Sequence, residues 1–195
     1  MESELSIQGS RGGSRDIFWK MVDGTSDEER LTSSDEAQFP GSVSPDGKIL
    51  AIRSNNLTTG IDIWVLSLRG DRKPEIFLRT PFNEQEPMSS PDGRWLAYQS
   101  NESGREEIYV CPFPGVGGKW QVSTAGGTNP RWARSGRELF YRSGHKMMAV
   151  EAGAAGAAFS AGQPQVLFES DGLMENAYDV AVDGFEELKR KVSVR

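Results

Sequence analysis

The sequence has few of the residues that build disulfide-bonded or metal-bound folds. Its 195 residues include one cysteine, Cys111, and one histidine, His145. A single thiol cannot form a disulfide within the chain, so no disulfide framework is available to stabilise the fold. One cysteine and one histidine are also too few for a zinc site. We therefore predict no metal centre and no cofactor.

Long apolar runs are missing as well. Hydrophobic residues make up 36% of the chain, and no run approaches the ~20 apolar residues that span a bilayer. We therefore expect no direct membrane insertion. The segment Met1–Ser6 has neither a basic region nor an apolar stretch, so no signal peptide is predicted. These features leave the compartment of the protein open.

The charge of the chain argues against nucleic acid as a partner. The net charge is −6 at pH 7, with 28 acidic and 22 basic residues. Phosphate binding requires clustered cations, and the short basic run Lys189–Lys191 is better explained as a solvated tail. We expect no nucleic-acid partner.

Glycine is common, with 22 residues, and several glycines mark an internal repeat. The segment Ser44–Ser54 (SPDGKILAIRS) recurs as Ser90–Ser100 (SPDGRWLAYQS), and a degenerate copy occupies Ala133–Ser143. A weak fourth copy begins at Ala181. The turn glycines, at positions 47, 93, 136 and 184, are 46, 43 and 48 residues apart. A period of this length indicates a repeat architecture.

A second motif follows the same period. An acidic residue and an isoleucine open each copy, which occupies Asp16–Trp19 (DIFW), Asp62–Val65 (DIWV) and Glu107–Val110 (EIYV). The isoleucines of successive copies are 46 and 45 residues apart. Because two independent markers share one period, chance is an inadequate explanation for the repeat.

The chemistry of the repeat predicts successive β-hairpins. In Ser-Pro-Asp-Gly, proline presets φ near −65°, aspartate tolerates the next position and glycine adopts a positive φ. The motif therefore reverses the chain between two strands, and the segments after it are rich in β-branched and aromatic residues. In the best copy we predict four strands, at roughly Glu86–Ser90, Trp95–Ser100, Glu107–Pro112 and Lys119–Thr124.

Four short strands in about 40–45 residues match the size of one β-propeller blade. A single sheet of this kind leaves both faces in water, so several copies must stack to bury them. The predicted fold class is all-β: a β-propeller of four-stranded antiparallel blades, with about three full blades and partial blades at both ends. We divide the chain into an N-terminal segment, 1–13, that is disordered or part of a blade, blades over 14–180, and a partial last blade or tail, 181–195.

Aromatic residues of the repeat fall at predicted strand positions. A stacking platform for sugars or bases is one interpretation, but we favour packing between blades because aromatic side chains dominate core burial. The residues are Trp64, Trp95, Tyr98, Tyr109, Trp120, Trp132 and Tyr141.

The Ser-Pro-Asp-Gly-(Arg/Lys)-x-Leu-Ala-Tyr and Asp-Ile-Trp motifs resemble the WD-type propeller repeats of the TolB family, periplasmic components of the Tol–Pal system. The segment Pro87–Gly104 is more similar still to the C-terminal propellers of bacterial membrane-anchored serine/threonine kinases and related sensors. The resemblance covers roughly residues 14–180. It departs from the pattern at Arg134–Gly136, which lacks proline and aspartate, and at Ala181–Val182. It implies a periplasmic or membrane-anchored parent protein that senses a signal or docks to envelope partners.

The ends of the repeat permit two arrangements. The chain begins near the third strand of one blade and ends near the first two strands of another, so paired ends would complete a four-bladed ring. The alternative, which we favour, is a fragment of a larger propeller, because the similar propellers commonly have six blades. A fragment would leave unpaired strand edges, and these promote self-association.

Residues suited to catalysis are sparse. His145 lies in a predicted turn between two strands, and no Gly-x-Ser-x-Gly nucleophile motif occurs. Gly115–Trp120 lacks the framing glycine and the Ser or Thr of a phosphate-binding loop. The Gly- and Ala-rich segment Ala152–Ala161 is predicted to be a flexible surface loop.

A calcium loop needs closely spaced acids ending in glutamate, and the Asp-Gly turns do not provide them. The Asp-Gly pairs at Asp46, Asp92 and Asp183 are single acids in tight turns, which fits turn chemistry rather than a calcium loop. We predict no catalytic residues and no metal ligands, and the sequence assigns no particular binding residues.

The function that these observations favour is a non-catalytic binding module for protein–protein interaction or ligand sensing. Its partner would be a protein or a small ligand on a propeller face, and the module would belong to a larger bacterial sensor, kinase or TolB-like protein. The alternative is an accessory propeller of a serine peptidase or hydrolase whose catalytic domain is absent from this chain. A lyase or hydrolase acting in its own channel would need converging histidines and acids, which the sequence lacks.

Overall fold

The structure, a computed structural model, describes residues 4–11, 14–21, 25, 27–115, 117–155 and 158–170. Every helix or strand in these residues is a β-strand. This part of the chain contains no helix long and apolar enough to cross a membrane. The predicted last blade or tail, 181–195, with its turn at Asp183 and its basic run Lys189–Lys191, lies outside the described residues.

Sixteen strands in the described residues form four antiparallel sheets. The first sheet contains β1 (Glu4–Arg11), β2 (Ser14–Met21) and β3 (Glu29–Arg30). The second contains β4 (Ala37–Val43), β5 (Ile49–Asn56), β6 (Gly60–Ser67) and β7 (Pro74–Leu78). The third contains β8 (Glu84–Ser89), β9 (Trp95–Ser100), β10 (Glu107–Pro112) and β11 (Trp120–Gln121). The fourth contains β12 (Thr128–Trp132), β13 (Glu138–Ser143), β14 (Lys146–Ala155), β15 (Ala158–Ala161) and β16 (Gln165–Glu169).

Consecutive strands are neighbours in the first three sheets, which are simple meanders. In the fourth sheet, both β15 and β16 pair with β14, along different parts of its length. The Asp-Ile motif lies on β2 in the first sheet and on the third strands, β6 and β10, in the next two. By this alignment β1 is a second strand, and no described strand pairs with its free edge. A pairing of the chain ends would require residues after 170, which lie outside the described residues.

The four-stranded sheets predicted from the repeat are confirmed. In the best copy, two strands have the predicted bounds, Trp95–Ser100 and Glu107–Pro112. The first strand, Glu84–Ser89, begins two residues earlier than predicted, and the last, Trp120–Gln121, is shorter.

The Ser-Pro-Asp-Gly segments form the tight turns that their residues predict. Gly47 has φ = 68° and Gly93 has φ = 71°, a left-handed conformation that favours glycine. The Gly47 N–H donates to the Ser44 carbonyl oxygen at 2.8 Å, and the same bond from Gly93 to Ser90 measures 2.9 Å. The degenerate copy keeps this geometry, with φ = 69° at Gly136. The glycine therefore sets the turn, and proline and aspartate are accessory to it.

Serine and aspartate side chains close the two complete turns. The Ser44 hydroxyl donates to Asp46 Oδ1 at 2.7 Å, and the Ser90 hydroxyl donates to Asp92 Oδ1 at 2.6 Å. Hydrogen bonds from Lys48 and Ser44 lower the pKa of Asp46 to about 2. Partial burial opposes the same effect at Asp92, but its hydrogen bonds still lower the pKa of that carboxyl group. Both aspartates are therefore ionised acceptors within the turns, in agreement with the predicted turn chemistry.

The chain divides into two compact units, Met1–Gln85 and Glu86–Arg195. In the first unit, apolar side chains of β2 and the segment after β3 pack against those of β5 and β6. This core contains Ile17, Leu31, Leu50, Ile52, Leu66 and Leu68, with Trp19 and Trp64 packed against it. The alternating pattern of the strands places these side chains on one face of each sheet.

The core of the second unit is built around aromatic rings. Trp95 lies 5.4 Å from Phe159 and 5.6 Å from Trp120, measured between ring centroids, and both pairs pack edge to face. Trp132 lies 6.3 Å from the same phenylalanine. Such edge-to-face pairs are worth about 0.5–1.5 kcal/mol each beyond the area that they bury. The predicted role of these tryptophans in packing agrees with this arrangement.

The prediction of a flexible surface loop at Ala152–Ala161 is wrong. Ala152–Ala155 continue β14, and β15 pairs with them antiparallel, from Ala152 opposite Ala161 to Ala155 opposite Ala158. Phe159, which is 4% exposed, fixes this hairpin by entering the aromatic cluster. Burial of one such ring contributes about 2 kcal/mol, which composition alone does not reveal.

Replacing Gly136 by alanine tests the turn geometry. A Cβ at this position meets only ordinary contact, 3.6 Å from Pro91 Cδ, so the cost comes from the positive φ and should be about 1 kcal/mol. The free energy of unfolding, measured by urea titration, should fall by this amount. The control is Gly118→Ala, whose Cβ meets nothing within 4 Å and whose φ is not positive. Equal stability of the two variants would contradict the account.

Candidate binding surface

Each sheet has two chemically different ends. The Ser-Pro-Asp-Gly turns lie at one end, which we call the turn end. The hairpin between the second and third strands lies at the other, together with the connection that leads to the next sheet, and we call this the loop end. Because neighbouring strands are antiparallel, the acidic residue that opens each third strand lies at the loop end.

In the first sheet, the side chain of Asp16 connects the segments that form the loop end. Its side chain is 1% exposed. Arg30 Nη2 donates to Asp16 Oδ2 at 2.5 Å, and the Ser34 N–H donates to Oδ1 at 3.3 Å. The N–H of Ile17 donates to Thr32 Oγ1 at 3.0 Å. These bonds tie β2 to β3 and to the connection that follows β3.

In the third sheet, Glu107 has the same role with different donors. Its side chain is 1% exposed, and its Oε1 accepts from Arg105 Nε at 2.8 Å and from the Gly126 N–H at 3.0 Å. Its Oε2 accepts from the Ser123 hydroxyl, which in turn accepts from the Ile108 N–H at 2.8 Å. The connection after β11 is thereby attached to the start of β10.

In the second sheet, the corresponding carboxylate is only half satisfied. Asp62 is fully buried, and its Oδ2 accepts from Arg79 Nε and from Thr59 Oγ1, both at 2.8 Å. Its Oδ1 has no hydrogen-bond donor within the described residues, and neither has Oε1 of Gln38, which is 2% exposed. Gln38 pairs with Ser54, and Ser54 pairs with Asp62, so the three lie in one row across the sheet. Two buried polar atoms of this row, Asp62 Oδ1 and Gln38 Oε1, therefore have no donor in the described residues.

In the fourth sheet the residue that opens the third strand is basic, where the other three sheets have an acid. Lys146 opens the third strand, β14, and its Nζ lies 3.3 Å from Glu169 Oε1 on the neighbouring β16. Both side chains are about half exposed, at 47% and 63%. An exposed pair of this kind contributes little to stability, about 0–1 kcal/mol.

These ion pairs determine what the loop ends can do chemically. The arginines of these pairs are partly exposed, but a buried carboxylate that loses its donors is left as an uncompensated charge, which is strongly destabilising. The carboxylates of Asp16 and Glu107 are therefore occupied by fixed donors that hold the connections in place. These carboxylates are therefore better suited to fixing the backbone of a binding surface than to acid–base catalysis.

The sequence also singled out one histidine and one cysteine, and the histidine lies at the loop end of the fourth sheet. His145 is exposed in the two-residue turn between β13 and β14, as predicted. Cys111 is buried on β10, and burial raises the pKa of its thiol to about 12, although Lys119 opposes the shift. Burial, with a smaller effect of the Glu107 charge, also raises the pKa of Tyr141 to about 12. No group of three or more His, Cys, Asp or Glu in the described residues could hold a metal ion.

The role of the acidic residues at the loop ends was missed by sequence reasoning. In the sequence, Asp16, Asp62 and Glu107 served only as markers of the repeat. The available signal was the acid directly before the isoleucine in all three copies of the motif. This position is expected to be buried, and a buried acid requires a hydrogen-bond donor. The identity of the donors could not be read in the same way, because Arg30 and Arg105 occupy different positions relative to their acids.

Replacing Glu107 by glutamine tests the bonds of the buried carboxylate. The neutral amide loses the charge-assisted bonds from Arg105 and Gly126, and the free energy of unfolding should fall by about 2 kcal/mol. The matched control is Glu169→Gln, which removes an exposed ion pair and should change stability by less than about 0.5 kcal/mol. If the free energy of unfolding falls no more in Glu107→Gln than in Glu169→Gln, the buried carboxylate of Glu107 does not hold the loop end.

The thiol of Cys111 provides a test of burial that requires no mutation. Because its pKa is raised to about 12, only about 10⁻⁴ of the thiol is ionised at pH 8. Ellman's reagent should therefore react very slowly with the folded protein and rapidly in guanidinium chloride. A fast reaction in native buffer would place this residue in an exposed or electropositive environment and contradict the structure.

Comparisons with known proteins bear on the fold. No protein-family model and no curated protein matches the sequence. Among solved structures, a TolB-like protein of Agrobacterium tumefaciens has a TM-score of 0.68 and 17% identity, over 86% of this chain and 61% of that one. TolB from Acinetobacter baumannii has a TM-score of 0.66 and 17% identity, over 86% and 41%. The β-propeller domain of the Trilobed protease from Pyrococcus furiosus has a TM-score of 0.55 and 14% identity, over 85% and 53%.

The chain spans less than two thirds of the length of each of these proteins. At such low identity the likeness concerns the fold alone, and it confirms the predicted fold class and the resemblance to TolB-type propellers. None of the three is a kinase-linked sensor, so that closer resemblance stays a prediction. The chain has a TolB-like β-propeller fold.

Proposed function

We propose that this chain is a non-catalytic β-propeller module that binds a protein partner or a small ligand through the loop ends of its sheets. The observation that carries the proposal is the set of buried carboxylates at these ends. Asp16 and Glu107 accept bonds from an arginine and from backbone N–H groups of the next connection. A connection held in this way loses little conformational entropy when a partner binds.

The groups that could act as nucleophiles or bases support a binding role rather than catalysis. The buried carboxylates are occupied by structural donors, and the thiol of Cys111 is protonated at neutral pH. Nucleophilic catalysis requires a nucleophile within hydrogen-bond reach of a base. His145, the one imidazole of the sequence, is exposed in the hairpin at the loop end of the fourth sheet, next to Lys146, which pairs with Glu169.

The wider context that we propose is a larger bacterial protein, either a sensor, such as a membrane-anchored kinase, or a TolB-like protein. The repeat motifs support this context, as does the fold shared with TolB from Acinetobacter baumannii. In either case the module supplies recognition, and any response to binding is generated by other parts of the parent protein.

A second candidate is an accessory propeller of a serine peptidase. The similarity to the β-propeller domain of the Trilobed protease from Pyrococcus furiosus favours this alternative. The two candidates differ in the catalytic parts of the parent protein. A reading frame that encodes a Gly-x-Ser-x-Gly hydrolase domain favours the peptidase, and one that encodes a kinase domain and a membrane span favours the sensor.

Site-specific photo-crosslinking tests the proposed binding role. A photoreactive benzoylphenylalanine is placed at exposed Thr58 or Ser103, at the loop ends of the two units, or at exposed Lys73 as a turn-end control. We expect one saturable cross-linked protein in an extract of the source cells from at least one loop-end position, and none from the control.

The same chain is then assayed for turnover of ester, peptide and glycoside substrates. Hydrolysis above the rate of the heat-denatured protein would overturn the non-catalytic function. Equal cross-linking from all three positions would overturn the assignment of binding to the loop ends.

A further inference from the structure

Two large apolar side chains are exposed at the loop end of the second sheet. Leu57, in the hairpin between β5 and β6, is 106% exposed, and Phe82, in the segment after β7, is 40% exposed. Single exposed apolar residues are common and require no explanation. Two of them on adjacent loops of one end are a different case, because contiguous apolar patches mark interaction sites.

The two loops that carry these side chains are in direct contact. The N–H of Ile61 donates to Asn83 Oδ1 at 3.0 Å. A Cβ placed on Gly60 would lie 2.5 Å from the same oxygen and 3.8 Å from the Phe82 carbonyl oxygen. Only glycine, with φ = 97°, permits this approach. The loops that carry Leu57 and Phe82 are therefore joined where Gly60 and Ile61 meet Asn83.

These loops are held by side-chain bonds to the backbone. Oδ1 of Asn56 accepts from the N–H groups of Thr58 and Thr59, at 2.8 and 2.9 Å. The Phe82 N–H donates to Thr80 Oγ1 at 3.1 Å. Loops fixed in this way can keep an apolar side chain exposed to solvent, because their backbone is not free to fold over it.

The repeat shows that these apolar residues are not required by the fold. In the third sheet the corresponding hairpin is Asn101–Arg105, and in the fourth it is a two-residue turn, Gly144-His145. Both are polar and both connect the same pair of strands. Leucine at the tip of the β5–β6 hairpin is therefore a property of this blade and not of the architecture.

A third loop adds negative charge beside the apolar pair. Oε2 of Glu36 accepts from the Ser54 hydroxyl at 2.6 Å, and its Oε1 accepts from Asn56 Nδ2 at 2.5 Å. Both donors are neutral, so the charge of Glu36 is not compensated. Asp35 beside it is exposed. Within residues 32–36, 56–60 and 79–83, the cation is Arg79, which is already bonded to Asp62.

From these observations we infer that residues 32–36, 56–60 and 79–83 form a docking surface for a segment of a partner protein that combines apolar and basic residues. The partner places an aliphatic or aromatic side chain against Leu57 and Phe82, and a lysine or arginine against Asp35 and Glu36. The inference rests on the proposed binding function and names the surface and the chemistry of its partner. A lipid surface is disfavoured, because the same carboxylates repel the anionic headgroups that recruit peripheral proteins.

Selection from a random dodecapeptide library displayed on phage, against the immobilised full chain, tests this inference. We expect enriched peptides to carry an aromatic or aliphatic residue close to lysine or arginine. In the double variant Leu57→Ser/Phe82→Ser, the Kd of a labelled enriched peptide should rise about 10-fold or more. In the double variant Asp35→Asn/Glu36→Gln, the Kd should rise about 3- to 10-fold and lose much of its salt dependence.

The matched control is the double variant Val43→Ser/Ile76→Ser. It removes two exposed apolar side chains of the same unit, 42% and 48% exposed, that lie outside the docking surface. The Kd should be unchanged in this variant. Urea titration of all variants establishes that each is folded before binding is compared.

The outcomes separate this inference from the proposed function. If enriched peptides bind the Leu57/Phe82 variant as tightly as the original chain and bind the control variant more weakly, the docking surface is wrong and the binding function stands. If no peptide is enriched and neither Thr58 nor Ser103 gives a cross-link, both fail. Binding to phosphatidylserine vesicles that is lost in the Leu57/Phe82 variant, without peptide binding, would assign the surface to a membrane and overturn the inference.

Discussion

A carboxylate that is buried at the start of a strand must find a hydrogen-bond donor, and this requirement organises the loop ends of the molecule. In the first and third sheets the donors come from an arginine and from the connection to the next sheet. Each sheet is thereby fastened to the segment that follows it at the point where the chain leaves it. The turn ends need no such contact, because a glycine with positive φ completes the turns at Gly47, Gly93 and Gly136, and a local serine–aspartate bond closes the first two.

Against this regular background, the second sheet differs in ways that bear on function. Its buried carboxylate, Asp62, has one oxygen without a donor in the described residues, and its loops expose Leu57 and Phe82. The same loops present uncompensated negative charge from Glu36. The repeat therefore serves as an internal control, since features common to all sheets belong to the fold and features of one sheet are candidates for recognition. Fold alone does not specify function, but the departure of the second sheet from the repeat indicates a candidate recognition site.

Much of the fold follows from short-range chemistry and could be predicted from the sequence. The turn glycines 47, 93 and 136 have the predicted conformation, and the strands Trp95–Ser100 and Glu107–Pro112 have the predicted bounds. The hairpin at Ala152–Ala161 was not predicted, because its position depends on one ring, Phe159, entering a distant aromatic cluster. The ion pairs at the loop ends were not predicted either. Their donors lie 14 and 17 residues after the acid in two sheets and two residues before it in a third, so no fixed spacing identifies them.

Amide hydrogen exchange at the loop ends tests the central claim, that buried carboxylates hold the connections in fixed positions. The amides of Ser34 and Gly126 lie in connections rather than in strands, and they donate to Asp16 Oδ1 and Glu107 Oε1. If these bonds persist in solution, both amides should exchange at least about 100-fold more slowly than in an unstructured peptide, as strand amides do. Exchange of both at the rate of an unstructured peptide, while the strand amides remain protected, would contradict the account.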